Sequence, residues 1–165
     1  MAHRHTTSDD PDLSDPELYL NRELSELRFQ HRVLHEALDD RTPLLERAKF
    51  LAFFTKNVDE FFMKRVGGLK QQIDAGVTER TPDGRTPEEQ WREIHETVRP
   101  MFEEQTDCYL NDVRPALAAA GVRIADFEEL DADRRAELRD YVETSVLPTL
   151  TPLTFDPAHP FPFIS

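Results

Sequence analysis

From Glu17 onward apolar residues return at helical intervals. Leu20, Leu24, Leu27, Leu34 and Leu38 are spaced 4-3-7-4, with His31 in the missing seam position, so the pattern predicts a helix that buries one stripe. Residues 39–43 then close a tight helical hairpin. The second helix is expected over residues 43–73, with Thr42 as N-cap and Pro43 at the first position, where a missing N–H costs nothing. Its stripe is Leu44, Ala48, Leu51, Val58, Phe62, Val66, Leu69 and Ile73. Phe50, Phe53, Phe54 and Phe61 lie around another part of the circumference, which predicts burial on two sides. Asn57 falls among these rings at helical contact spacing, so its amide requires a partner.

Gly67-Gly68 weakens this helix by about 1–2 kcal/mol relative to alanine, and a close helix crossing is the expected reason. Gly76 suits a C-terminal cap, and residues 78–85, with Pro82-Asp83-Gly84, read as a surface turn. Thr86, Pro87 and Glu89 then spell a capping box. The helix they start carries Trp91, Ile94, Val98, Met101, Cys108 and Val113 near one stripe. Pro100 is expected to kink or split it, Pro115 to interrupt it again, and Gly121 to stop it. Beyond lie a possible strand at Val122–Ile124, a helix from Ala132 to Val146 capped by Asp131, and an extended run over 148–152.

The pattern predicts an all-α fold: long antiparallel helices forming a helical bundle, with a short α+β-like C-terminal segment that starts a second domain. The expected division is a disordered leader over residues 1–16, a helical domain over 17–121, and an incomplete further domain over 122–165.

Charge changes this picture in one place. The chain of 165 residues has net charge −13, which argues against a nucleic-acid partner. Between Leu44 and Ile73, however, six cations (Arg47, Lys49, Lys56, Lys64, Arg65, Lys70) face three anions (Glu46, Asp59, Glu60), making this the place to look for an anionic ligand. Cys108 is the only cysteine, the first residues carry no apolar signal segment, and no run of about 18 apolar residues occurs. A cytoplasmic protein without a membrane span is therefore expected.

Candidate chemistry is sparse. Glycine-rich phosphate loops, HExxH, CxxC and GxSxG are absent. His31, His35 and Asp39 stand at i, i+4 and i+8, a spacing that a metal could use, but the seam accounts for His31 and no metal ligand is assigned. Asp59 and Glu60 diverge by about 100° on a helix, and Glu60 is better placed to pair with Lys56 and Lys64. No catalytic residue is assigned.

The run LYLNRELSELRFQHRVLHEALDDRTPLLERAKFLAFFTKNVDEFFMKRVGGLKQQ, residues 18–72, resembles the amino-terminal domain of the long, histidine-phosphorylating polyphosphate kinases, and the terminal HPFPFIS resembles the opening of that family's head domain. The resemblance implies an ATP:polyphosphate phosphotransferase, which moves the terminal phosphate of ATP reversibly onto polyphosphate through a phosphohistidine. Its amino-terminal helices are expected to wall the adenine end of the nucleotide site, and Asn57, in TKNVDEFF, matches the family's ATP-contacting asparagine. An interhelical hydrogen bond remains the alternative role for Asn57. The resemblance puts the phosphohistidine, the phosphate-binding arginines and the Mg2+-associated residues in domains beyond this match. ATP and polyphosphate are thus the expected partners, a homo-oligomer is expected of the full-length enzyme, and this stretch alone is expected to be inactive. Glu26 and Gln30 depart from the family's usual Trp and Asn, which is expected to alter packing of the first hairpin. A free-standing helical interaction module is the competing reading.

Overall fold

A computed structural model describes residues 12–151 and divides the chain into two compact units, Met1–Arg123 and Ile124–Ser165. Most of the expected leader and the terminal HPFPFIS lie outside the described residues. Among those described, the fold is all-α.

In the first unit, a 3-10 turn at Pro16–Leu18 precedes α1, Arg22–Leu38. The helix begins later than the apolar pattern suggests because Asn21 takes the cap, its side chain accepting from the Leu24 N–H at 3.0 Å. Leu20 is therefore outside the stripe and 77% exposed. After the hairpin turn, α2 runs over Leu44–Phe61, a π turn over Phe62–Val66 and α3 over Gly67–Asp74, continuing one helical path. Thr42 is not the cap. Its N–H is spent on the Asp39 carbonyl within the turn, and Pro43 occupies the cap position without a side-chain bond. Gly76, at φ +70°, ends α3 in a Schellman arrangement, with Gly76 N–H on the Ile73 carbonyl and Val77 N–H on that of Gln72.

Helix α4, Pro87–Cys108, opens with the expected capping box between Thr86 and Glu89. It runs unbroken through Pro100, whose exposed ring costs one ladder bond without splitting the helix. A π turn at Tyr109–Val113 leads into α5, Arg114–Ala119, with Pro115 in its first turn. The widened turn, in which Arg114 N–H reaches the Tyr109 carbonyl, comes where proline would break the ladder anyway.

The core is made where α1 meets α2 and α4, and where α3 meets α4. Cross-helix hydrogen bonds fix the directions. Arg47 reaches Ala37 while Asn57 reaches Gln30, so α1 and α2 are antiparallel; Asn21 meets Gln90 and His31 meets Glu104, so α1 and α4 run the same way. Leu27, Leu34, Phe54, Ile94, Val98 and Met101 are buried between them. Burying each such side chain contributes about 1.5–3 kcal/mol. Two of the four α2 rings behave as expected, Phe54 and Phe61 being buried, and Phe50 is half-buried. Phe53, however, is 49% exposed, because no element among the described residues covers that side.

Gly67-Gly68 is not at a close crossing. A Cβ on Gly68 would meet nothing within 4 Å, and one on Gly67 would meet only the Phe62 carbonyl at 3.7 Å. The turn before α4 is tied to α1 through Asp83, which accepts from Asn21 Nδ2 at 3.1 Å and from Arg85 at 2.7 Å. Burial pushes the Asp83 carboxyl up, but the bonds from Thr81, Arg85 and Asn21 outweigh it and hold the group below the usual carboxylate range.

The second unit holds a 3-10 turn at Phe127–Glu129, then α6, Ala132–Tyr141, capped by Asp131 accepting from the Arg134 N–H. A π turn at Val142–Val146 carries the helical path to its expected end. Two expectations are overturned: residues 122–124 form no strand, and Leu147–Thr149 is a 3-10 turn rather than extended chain. The α+β-like character expected of this segment is thus absent among the described residues.

Candidate functional site

A cleft of about 320 Å³ opens beside Asn57 between the first two helical segments. Helix α1 supplies Arg22, Glu23, Glu26 and Gln30; α2 supplies Asn57, Glu60 and Phe61; the π turn supplies Lys64 and Arg65. That turn inserts one extra residue into the ladder, with Gly67 N–H bonded to the Phe62 carbonyl, and so sets the direction in which Lys64 and Arg65 leave the helix.

Asn57 is half-buried and its Nδ2 donates to Gln30 Oε1 at 2.9 Å. Gln30, itself 3% exposed, donates through Nε2 to Glu26 Oε1 at 2.8 Å. Among the described residues no buried polar side-chain atom lacks a partner and Asn57 Oδ1 makes no hydrogen bond, so that oxygen stands open at the cleft. The partner required of Asn57 is thus present and interhelical, yet it uses only part of the amide.

Glu26 and Gln30, noted in the sequence only as departures from a family pattern, belong to this same wall. Glu26 is exposed on it and not in the core, so no buried aromatic pocket is lost and the hairpin packs closely through Leu27, Leu34 and Ala37. Their i, i+4 spacing was the available signal; that the pair meets Asn57 depends on the register of α1 against α2.

The cations of the basic stretch are largely committed elsewhere. Arg47 is buried, its Nε donating to the Ala37 carbonyl at 2.7 Å and its guanidinium pairing with Asp112. Lys49 pairs with Glu46 at 2.7 Å and Lys70 with Asp74 at 2.6 Å. Lys64 pairs with Glu60, and that hydrogen bond holds the Glu60 carboxyl below the usual carboxylate range. Arg22 and Arg65 reach the cleft with no carboxylate partner among the described residues. Three cations and three carboxylates therefore share the cleft wall, a balance suited to a neutral polar group better than to a chain of phosphates.

His31 meets Glu104 at 3.0 Å and packs its ring on His35 at 4.7 Å. Among the described residues no three His, Cys, Asp or Glu side chains gather as a metal ion would need. No helix among those residues is long and apolar enough to cross a membrane.

Comparison with known proteins agrees with the resemblance read from the sequence. The chain is 51% identical over 154 residues to a polyphosphate kinase of Synechocystis sp., covering 93% of this chain and 21% of that protein. It is 47% identical over 154 residues to polyphosphate kinase 1 of Chlorobaculum tepidum, covering 93% and 22%. A polyphosphate kinase of Mycolicibacterium gilvum is 51% identical over 147 residues, covering 89% and 20%. The chain thus spans about a fifth of the length of the curated relatives it matches. No solved structure matches it significantly. The family described as polyphosphate kinase N-terminal domain matches residues 19–125, well over half of the sequence, and it is to this family that the chain belongs.

Proposed function

We propose that this stretch forms the adenine-side wall of the nucleotide site in an ATP:polyphosphate phosphotransferase, with Asn57 contacting ATP. One observation carries the reading: Asn57 sits in the open cleft with its carbonyl oxygen uncommitted, while Gln30 holds its amide nitrogen. The near-balanced charge of the wall agrees with a base or sugar docking here and with the phosphates, Mg2+ and polyphosphate being held by other domains. In the overall reaction the γ-phosphoryl group leaves ATP as its bridging P–O bond breaks, a histidine nitrogen accepts it, and the polyphosphate terminus takes it from the histidine. This wall orients the nucleotide and supplies none of those bonds.

Asn57→Ala in the full-length enzyme is expected to raise the KM for ATP about tenfold, the equivalent of one hydrogen bond of about 1.4 kcal/mol, with the helical fold retained by circular dichroism. An unchanged KM with a lower melting temperature would make Asn57 structural. Purified residues 1–165 are expected to make no polyphosphate from ATP, because none of the six histidines lies in a context that resembles the family's phosphohistidine. Measurable polyphosphate synthesis by that piece would place the reacting groups in these helices.

A further inference from the structure

We infer that Glu26 and Gln30 act as positioning residues that fix which end of the Asn57 amide faces the cleft, and thereby select a 6-amino purine over a 6-oxo purine. The inference rests on the nucleotide reading above and adds a reason for its base specificity. Glu26, Gln30 and Asn57 form a hydrogen-bonded chain with a single allowed direction. A carboxylate accepts and does not donate, so Gln30 must turn its NH2 group to Glu26, as it does at 2.8 Å. With Gln30 Nε2 turned to Glu26, it is Gln30 Oε1 that faces Asn57, which must answer with its own NH2 group, as it does at 2.9 Å. Asn57 is left presenting its carbonyl oxygen, with one remaining N–H beside it, to the cleft.

Amide oxygen and nitrogen are nearly the same size and shape, so local packing alone would not choose between the two orientations; the carboxylate at the end of the chain does. An acceptor next to a donor complements the edge of adenine, whose exocyclic 6-amino group donates beside a ring nitrogen that accepts. Guanine and hypoxanthine carry an oxygen at position 6. Against Asn57 Oδ1 that places two acceptors face to face, which a site built on an unpaired oxygen rejects.

The test uses the full-length enzyme and compares kcat/KM for ATP with that for inosine triphosphate. Glu26→Gln removes the acceptor-only end at constant shape, so both directions of the chain become allowed. The ATP preference is then expected to fall about tenfold, with the melting temperature little changed. Combining Glu26→Gln with Gln30→Glu puts a carboxylate directly against Asn57, restores the direction and is expected to return the preference to within about twofold of the parent. An unchanged preference in the single variant overturns the inference, and so does a loss that the double variant fails to recover, since packing damage would not be repaired by a second charge change. Asn57→Ala separates the two claims. If it leaves the KM for ATP unchanged, the nucleotide reading falls; if it raises that KM while Glu26→Gln leaves the preference intact, only the positioning claim falls.

Discussion

The α1–α2 hairpin holds a polar side chain at two levels, and the two are treated in opposite ways. Near the turn, Arg47 is buried and has its donors engaged by the Ala37 carbonyl, the Cys108 sulfur at 3.7 Å and Asp112. Farther along, Asn57 is half-buried and gives only one hydrogen bond, to Gln30. Both lie in the stretch that the sequence marks as basic and aromatic. What separates a structural polar residue from a candidate binding one is therefore neither charge nor location on the helix, but hydrogen-bonding capacity left over at an open surface.

The largest effect that would sharpen this contrast belongs to the closed side. Phe54 is 0% exposed and its ring meets that of Phe102 at 5.4 Å. Phe54→Ala is expected to cost about 3–5 kcal/mol in denaturant unfolding, because the surrounding helices cannot collapse into the space. A cost under about 1 kcal/mol would mean that the core between α2 and α4 is loosely packed. Arg47→Ala comes next, at about 2–3 kcal/mol. It leaves the Ala37 carbonyl with only the weak Cys108 S–H donor at 3.6 Å and removes an aliphatic stem from the core, while Asp112, with 55% of its side chain exposed, can turn to water. Should Arg47→Ala prove neutral, the closed end would have no claim to be a structural lock.

Much of this was legible in sequence because it is local. Thr86 and Glu89 lie three residues apart and cap α4 from within one turn, and Gly76 ends α3 through bonds to residues three and five positions back. Helical period placed Leu27, Leu34, Val58, Ile94 and Val98 on buried stripes. Period is silent on what lies beyond a face, which is why Phe53 was expected to be buried and why Gly67-Gly68 was given a neighbour that the described residues do not provide. It is equally silent on register. Asn57 could be singled out by resemblance, whereas its connection through Gln30 to Glu26 depends on how α1 slides along α2. The charge count does not show pairing, for a related reason: Arg47, Lys49, Lys64 and Lys70 are cations in sequence, but the fold gives each a nearby carboxylate.

The smallest effect makes the sharpest comparison, since Phe53 and Phe54 are consecutive residues of one helix. Successive helical positions point about 100° apart, so Phe54 enters the core while Phe53 shares a face with Asn57, one turn on. Phe53 retains an edge contact with Phe50 at 6.1 Å but is 49% exposed. Phe53→Ser is therefore expected to cost less than about 1 kcal/mol, against several for Phe54→Ala, when both are measured by the same denaturant titration. If the two costs were equal, the uncovered face would in truth be a buried one in the protein as it stands in solution, and Asn57, on that same face, would lose the open surface on which its binding role depends.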